Sequence, residues 1–253
     1  MKKLLFLSLI LSLFSTPSYS SDVKPPKDVN WSFEGPTGHF DRAAAQRGFQ
    51  VYKEVCSSCH SLKLLSYRNL EEIGFEKEEV KVIASQYTTI DGPDDSGDMF
   101  ERPARPSDKF VAPFANEKAA RASNGGAFPP DLSLITKARV GGANYVYSII
   151  TGYNIVPSDI ELDDGMNYNL YFPGRQIAMP PPLSDGLVQY SDGTEASVDQ
   201  MAHDVVTFLY WAAEPKMEHR KSLGAKVLLF MLVFTGLFIA AKKRVWSDLE
   251  DKH

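Results

Sequence analysis

Both cysteines of this 253-residue chain stand in one five-residue stretch, Cys56-Ser57-Ser58-Cys59-His60. No other pattern in the chain constrains the fold as tightly. Two thiols one short turn apart, followed at once by an imidazole, is the spacing that attaches a c-type haem. One turn brings the two sulfurs to the two vinyl groups at the porphyrin edge, and the next residue then lies where its ring can bind the iron. Cys56 and Cys59 are therefore candidates for thioether bonds to one haem c, and His60 for the proximal iron ligand. A thioredoxin-like redox pair also uses Cys-x-x-Cys, but it needs strands and a crossover helix around the motif. Here an amphipathic helical pattern over residues 41–55 precedes it. Two cysteines cannot build a disulfide scaffold.

Six-coordinate iron takes a second axial ligand. The chain offers Met99, Met166, Met179, Met201 and Met217, besides His39, His203 and His219. Met179 stands in Gly174-Arg175-Gln176-Ile177-Ala178-Met179-Pro180-Pro181-Pro182, an irregular, proline-locked loop that can hold a thioether rigidly against iron. Met201, Val205 and Leu209 share one face of a helix over residues 197–213, so Met201 reads as core; the Ser197-Val198-Asp199-Gln200 pattern opens that helix as a capping box. His203 on the same helix is the main rival to Met179, and His39 reads as a solvated loop residue. On residues alone the choice stays open. A thioether would favour reduced iron and raise the potential, which suits an electron carrier.

Both ends of the chain carry membrane signals. Lys2 and Lys3 precede an apolar run over residues 4–14, and Ser18-Tyr19-Ser20 supplies small residues at a cleavage position, so residues 1–20 read as a secretory signal peptide. The run is short of the roughly 20 residues a spanning helix needs, which argues against a retained anchor. No arginine occurs before Arg42, which favours a bacterial signal over an organellar transit peptide. Near the other end, residues 223–241 are apolar except for Lys226 and are closed by Lys242-Lys243-Arg244. This predicts one transmembrane helix with its basic end cytoplasmic, rather than a buried core helix. The expected plan is an exported haem domain over residues 21–215 and an anchor with a short cytoplasmic tail over residues 216–253.

The full chain has a net charge of −5, which excludes a cationic nucleic-acid binder. Residues 21–215 alone hold 17 basic and 28 acidic residues, a net −11. The acids cluster at Glu71, Glu72, Glu76, Glu78 and Glu79, and again at Asp91, Asp94, Asp95, Asp98 and Glu101. Such fields speed encounter with a basic partner, although a merely solvated surface reads the same way.

Beyond the haem motif, the chain resembles the cytochrome c1 family, the membrane-anchored haem subunits of ubiquinol-cytochrome c reductase (cytochrome bc1) complexes. The resemblance runs over the mature chain in ordered blocks. They include residues 47–61 around the haem motif, Tyr67-Arg68, Asp91-Gly92-Pro93, Met99-Phe100, Pro129-Pro130-Asp131-Leu132-Ser133, Ala138-Arg139, Gly141-Gly142, Thr151-Gly152-Tyr153, Tyr171-Phe172-Pro173-Gly174, Ala178-Met179 and Trp211-Ala212-Ala213-Glu214-Pro215. The resemblance implies a mainly α, class I cytochrome c-like haem domain with large loop insertions, plus one C-terminal transmembrane helix. It implies Met179 as the sixth iron ligand, Arg139 on a haem propionate with Tyr145 close by, and Pro129 and Pro130 lining the pocket. From the residues alone Arg139 would read as a surface arginine. It further implies a cytochrome b subunit and a Rieske iron-sulfur subunit as neighbours, cytochrome c as electron acceptor, a bacterial inner-membrane location with the haem domain periplasmic, and no catalytic acid or base. The family often has Ala-Pro-Pro after the ligand methionine where this chain has Pro180-Pro181-Pro182, a difference that bears on the loop and not on the ligand. An independent membrane-anchored c-type cytochrome shuttle is the alternative.

Overall fold

The computed structural model describes residues 23–250. The expected signal peptide lies outside the described residues. Among the described residues, six α-helices and short 3-10 turns carry most of the regular structure: α1 (Arg42–Glu54), α2 (Lys77–Ser85), α3 (Glu117–Ser123), α4 (Gly142–Ile150), α5 (Val198–Ala213) and α6 (Met217–Glu250). Two antiparallel ribbons complete the elements. β1 (Thr88–Asp91) pairs with β2 (Phe100–Pro103), and β3 (Asn167–Tyr168) with β4 (Gln176–Ile177). The protein is thus mainly helical, with long loops between its helices, as the sequence indicates. No crossover helix joins parallel strands among the described residues, so the surroundings a thioredoxin-like site requires are missing.

Helix α1 starts where the Asp41 carboxylate accepts from the Ala44 N–H, and α5 where the Ser197 hydroxyl accepts from the Gln200 N–H. Both satisfy orphan first-turn donors. The capping box expected at α5 is only half formed, because the Gln200 side chain donates to Asp204 Oδ1 instead of returning to the cap.

The two helices cross at Gly48. A Cβ there would stand 2.0 Å from the Asp204 carbonyl oxygen, so only glycine permits the approach. Phe49 then reaches Phe208, at 5.7 Å between ring centroids, and packs edge-on to Phe75 and Phe110. Met201, Val205, Phe208 and Trp211 bury the facing side of α5. Arg47 locks the crossing. Its guanidinium donates to both oxygens of the fully buried Asp204, at 2.9 and 3.1 Å, and to Asp192 at 2.9 Å. Burial works against the Asp204 charge, yet His203, Arg47 and Gln200 hold its carboxyl below the usual carboxylate range.

Helix α6 begins earlier and ends later than the 223–241 span read from the sequence. Its residues Met217–Ser247 are long and apolar enough to cross a membrane. At ~1.5 Å per residue this stretch is about 46 Å long, so it runs past the hydrocarbon core on at least one side. Glu214–Lys216 alone separate it from α5. Its first turns are seated on the body of the protein: Met217 is fully buried, Glu218 accepts from Arg42 at 2.6 and 2.9 Å and from the Phe40 N–H at 2.7 Å, and Lys221 donates to the Phe33 and Gly38 carbonyls.

Candidate haem site

Helix α1 delivers the cysteines. After Glu54 the chain tightens into a 3-10 turn, Cys56–Ser58, and the N–H groups of both Cys59 and His60 donate to the Cys56 carbonyl, at 3.2 and 2.8 Å. The turn places two unpaired thiols and an imidazole on one short arc. Burial pushes the Cys56 thiol up to about 12. A thiol-exchange centre needs a depressed pKa at its attacking cysteine, and Cys56 is shifted the other way.

The His60 ring is oriented by a single bond. Its Nδ1 lies 2.8 Å from the Pro130 carbonyl oxygen, which can only accept, so the proton sits on Nδ1 and the Nε2 lone pair is left for a metal. Burial lowers the His60 pKa, and the bond to Pro130 only partly offsets it, so the ring is neutral. Tyr52 donates to the His60 carbonyl at 3.1 Å and fixes its backbone.

Pro130 is itself held in place by a stitched pair of segments that the sequence reading did not assign. Asp131 accepts from the Ser61 hydroxyl at 2.8 Å and from the N–H groups of Lys63 and Ser133, each at 2.9 Å. The Leu132 N–H donates to the Ser61 carbonyl, and the Leu64 N–H to the Ser133 hydroxyl. Burial works against the Asp131 charge, but Ser133, Lys63 and Ser61 outweigh it and hold the carboxyl below its usual range. The signal was present as Asp131-Leu132-Ser133, an Asx turn directly after two prolines. Pro129 is half-buried beside this clamp.

Met179 lies on a second, smaller apolar cluster built on Ile149, Tyr171 and Ile177, and it shares that cluster with Tyr145, Tyr153, Leu170 and Phe172. Helix α4 supplies Tyr145 in its first turn. The Gly141-Gly142 pair, with φ of +87° and +51°, turns the chain sharply before α4 and brings Arg139 near Tyr145. Burial raises the Tyr145 pKa while the Arg139 charge lowers it. Arg139 is exposed, and among the described residues its guanidinium bonds only the neighbouring Ala138 carbonyl and meets no carboxylate. A guanidinium so placed suits an external carboxylate. The structure thus gathers Cys56, Cys59, His60 and Pro130 into one unit and Met179, Tyr145 and Arg139 into another.

Among the other candidate ligands, Met166 is half-buried just before β3, and the rest are engaged elsewhere or stand in the open. The His203 ring stacks on Trp31 at 4.8 Å, Met201 and Met217 are fully buried in the main core, and Met99 is exposed in the loop just before β2. His39 and His219 are exposed. Part of the acidic surface also has local work. Glu79 returns to the Glu76 N–H at the start of α2, Asp94 accepts from the Ser96 and Asp98 N–H groups, and Asp91 pairs with Arg102.

The residues present fit a covalently attached haem: two unpaired thiols on one turn, a neutral imidazole whose Nδ1 is already engaged, and a thioether on an aromatic wall. A sequence model of the Cytochrome C1 family matches residues 31–249. Cytochrome c1 of Rhodospirillum rubrum is 48% identical over 237 residues, covering 87% of each chain. The potato (Solanum tuberosum) protein named "Cytochrome c1-1, heme protein, mitochondrial" is 47% identical over 243 residues, covering 94% of this chain and 76% of its own length. The protein of Bradyrhizobium diazoefficiens named "Cytochrome b/c1" is 51% identical over 247 residues, and the match covers 89% of this chain but only 36% of that longer protein. The chain therefore belongs to the cytochrome c1 family.

Proposed function

We propose that this chain is the electron-transferring haem c subunit of a quinol-cytochrome c reductase, taking electrons from a Rieske iron-sulfur subunit and passing them to cytochrome c. The observation that carries the reading is the Cys56-x-x-Cys59-His60 turn with its imidazole held by Pro130, in a chain of this family. A bound haem would supply reversible one-electron chemistry at its iron. The protein's part is to hold and orient. Cys56 and Cys59 would bind the porphyrin edge, His60 Nε2 and the Met179 thioether would ligate the iron, Pro130 and Tyr52 keep the imidazole aimed, and Arg139 with Tyr145 would meet a propionate. Pro129 and Pro130 line the pocket. No residue is asked to act as an acid or a base.

The mounting of α6 supports a fixed subunit over an independent shuttle. A shuttle swings on a flexible tether, whereas here three residues separate two helices and the membrane helix is bonded at Glu218 to Phe40 and Arg42 and at Lys221 to the loop before α1. A relative whose name joins cytochrome b to c1 supports a cytochrome b neighbour. In this reading the helix is a single-pass anchor in a bacterial inner membrane, after export led by residues 1–20, and the haem domain is periplasmic.

The test is extraction of the tagged chain from its native membrane in mild detergent, with reduced-minus-oxidised spectra and quinol-driven reduction of added cytochrome c. Co-purifying b-type haem bands and quinol-dependent turnover are expected. A c-type band alone, without turnover, would overturn the subunit reading in favour of an anchored carrier.

A further inference from the structure

The Thr151-Gly152-Tyr153 stretch holds no haem group in the account above, yet it reaches the loop that carries Met179. That loop is poorly secured by its own backbone. Pro180, Pro181 and Pro182 have no N–H to donate. Among the described residues, the only hydrogen bond to the backbone of residues 178–182 is the one Tyr153 donates from its hydroxyl to the Met179 carbonyl, at 3.0 Å.

Tyr153, in contrast, stands on a rigid base. It stands three residues past the end of α4 and forms a β-bridge with Asn169. Asn169 is fully buried; its Nδ2 donates to the Ile149 carbonyl at 2.7 Å and its Oδ1 accepts from the Tyr171 N–H at 3.0 Å. The Leu170 N–H donates to the Gly152 carbonyl. Gly152 is wedged so tightly that a Cβ would meet Ser148 O and a Tyr171 ring carbon, each at 2.5 Å.

We propose that Tyr153 is a positioning residue for Met179: by holding the Met179 carbonyl beside the end of α4 and the buried Asn169, it sets where the adjacent thioether stands and how firmly it would ligate a haem iron. The proposal rests on the reading of Met179 as that ligand. A phenylalanine at 153 would keep the packing against the cluster and lose only the tether.

The experiment compares the full-length, haem-loaded chain in detergent as wild type, Tyr153→Phe and Met179→Leu. Each ferric protein is titrated with imidazole, and the weak far-red charge-transfer band of thioether-ligated iron is recorded. Tyr153→Phe is expected to keep its covalent haem, to show a weakened band and to bind imidazole about five- to tenfold more tightly, the change one ordinary hydrogen bond corresponds to. If Met179→Leu abolishes the band while Tyr153→Phe matches wild type in band and imidazole affinity, the proposal falls and the ligand reading stands. If Met179→Leu changes neither, both fall. Should Tyr153→Phe fail to accumulate, proton NMR of the reduced wild-type protein decides. A slowly exchanging Tyr153 hydroxyl proton close to Met179 supports the tether, and a rapidly exchanging one overturns it.

Discussion

Replacing Gly48 with alanine probes the crossing on which the haem motif is mounted. Two effects oppose each other. Alanine is the better helix former by ~1 kcal/mol, so in an open helix the change stabilises. At this crossing the new methyl would stand 2.0 Å from the Asp204 carbonyl oxygen, 2.5 Å from its carbonyl carbon and 2.8 Å from Phe208 Cβ. Comfortable non-bonded separations are ~3.5 Å, so α1 and α5 must part by more than about 1 Å. A gap of that size forfeits a quarter to a half of the dispersion contact of the side chains packed across it. Phe49, Val205 and Phe208 are each buried there. With ~1.5–3 kcal/mol for a fully buried apolar side chain, losing about a third from each of three comes to ~2 kcal/mol. Strain adds ~1–3 kcal/mol, since the atoms met are backbone and not the ends of flexible side chains. The net expectation is a loss of about 2–4 kcal/mol, or ~5–15 °C in Tm for a domain of this size. Thermal unfolding of the haem-loaded protein, followed by circular dichroism, measures it. A Tm equal to or above wild type would mean that propensity wins and that the helices do not approach as closely as described.

Asp131→Asn should remove the charge that holds the loop under His60 and cost ~1–3 kcal/mol. The sign with pH follows from a folded-state pKa below the unfolded one: the carboxylate's contribution is complete above the ordinary value near 4 and is lost as the pH falls through the lowered one. Wild type should therefore lose Tm in acid more steeply than Asp131→Asn; parallel curves would reject the clamp. Met179→Leu should lower the reduction potential by on the order of 0.1 V or more, within the ~0.8 V that axial ligands command. Redox titration reads it, and an unchanged potential would reject the ligand. If the exposed acids steer a basic cytochrome c, its reduction by the haem-loaded protein should slow steeply between low salt and ~0.15 M, where the screening length shortens to ~8 Å. A flat dependence in stopped-flow measurements would reject steering.

The sequence by itself determined the chemistry that depends on local spacing. Cys56, Cys59 and His60 lie within one turn, so their relation is set by backbone geometry alone. The helices over residues 42–54 and 198–213 were legible because periodicity and caps are local signals, and so was the apolar stretch of the anchor. At Gly48 the missing side chain permits close approach, but the carbonyl it meets belongs to Asp204, far along the chain, and only the fold chooses it. The anchor's true start at Met217 was hidden because Glu218, Arg220 and Lys221 look like a polar linker; only their partners Arg42, Glu214 and the Phe33 and Gly38 carbonyls show them to be a docked first turn. The sixth ligand stayed open between Met179 and His203 on residues alone, since nothing local says that His203 stacks on Trp31. The same holds for Pro130 beneath His60, Asp131 beside Ser61, and Tyr153 on the Met179 carbonyl. These pairs are separated by 70, 70 and 26 positions in the chain. A hydrogen bond acts over about 3 Å, so partners that far apart in sequence are chosen only when the tertiary fold closes the loops between them.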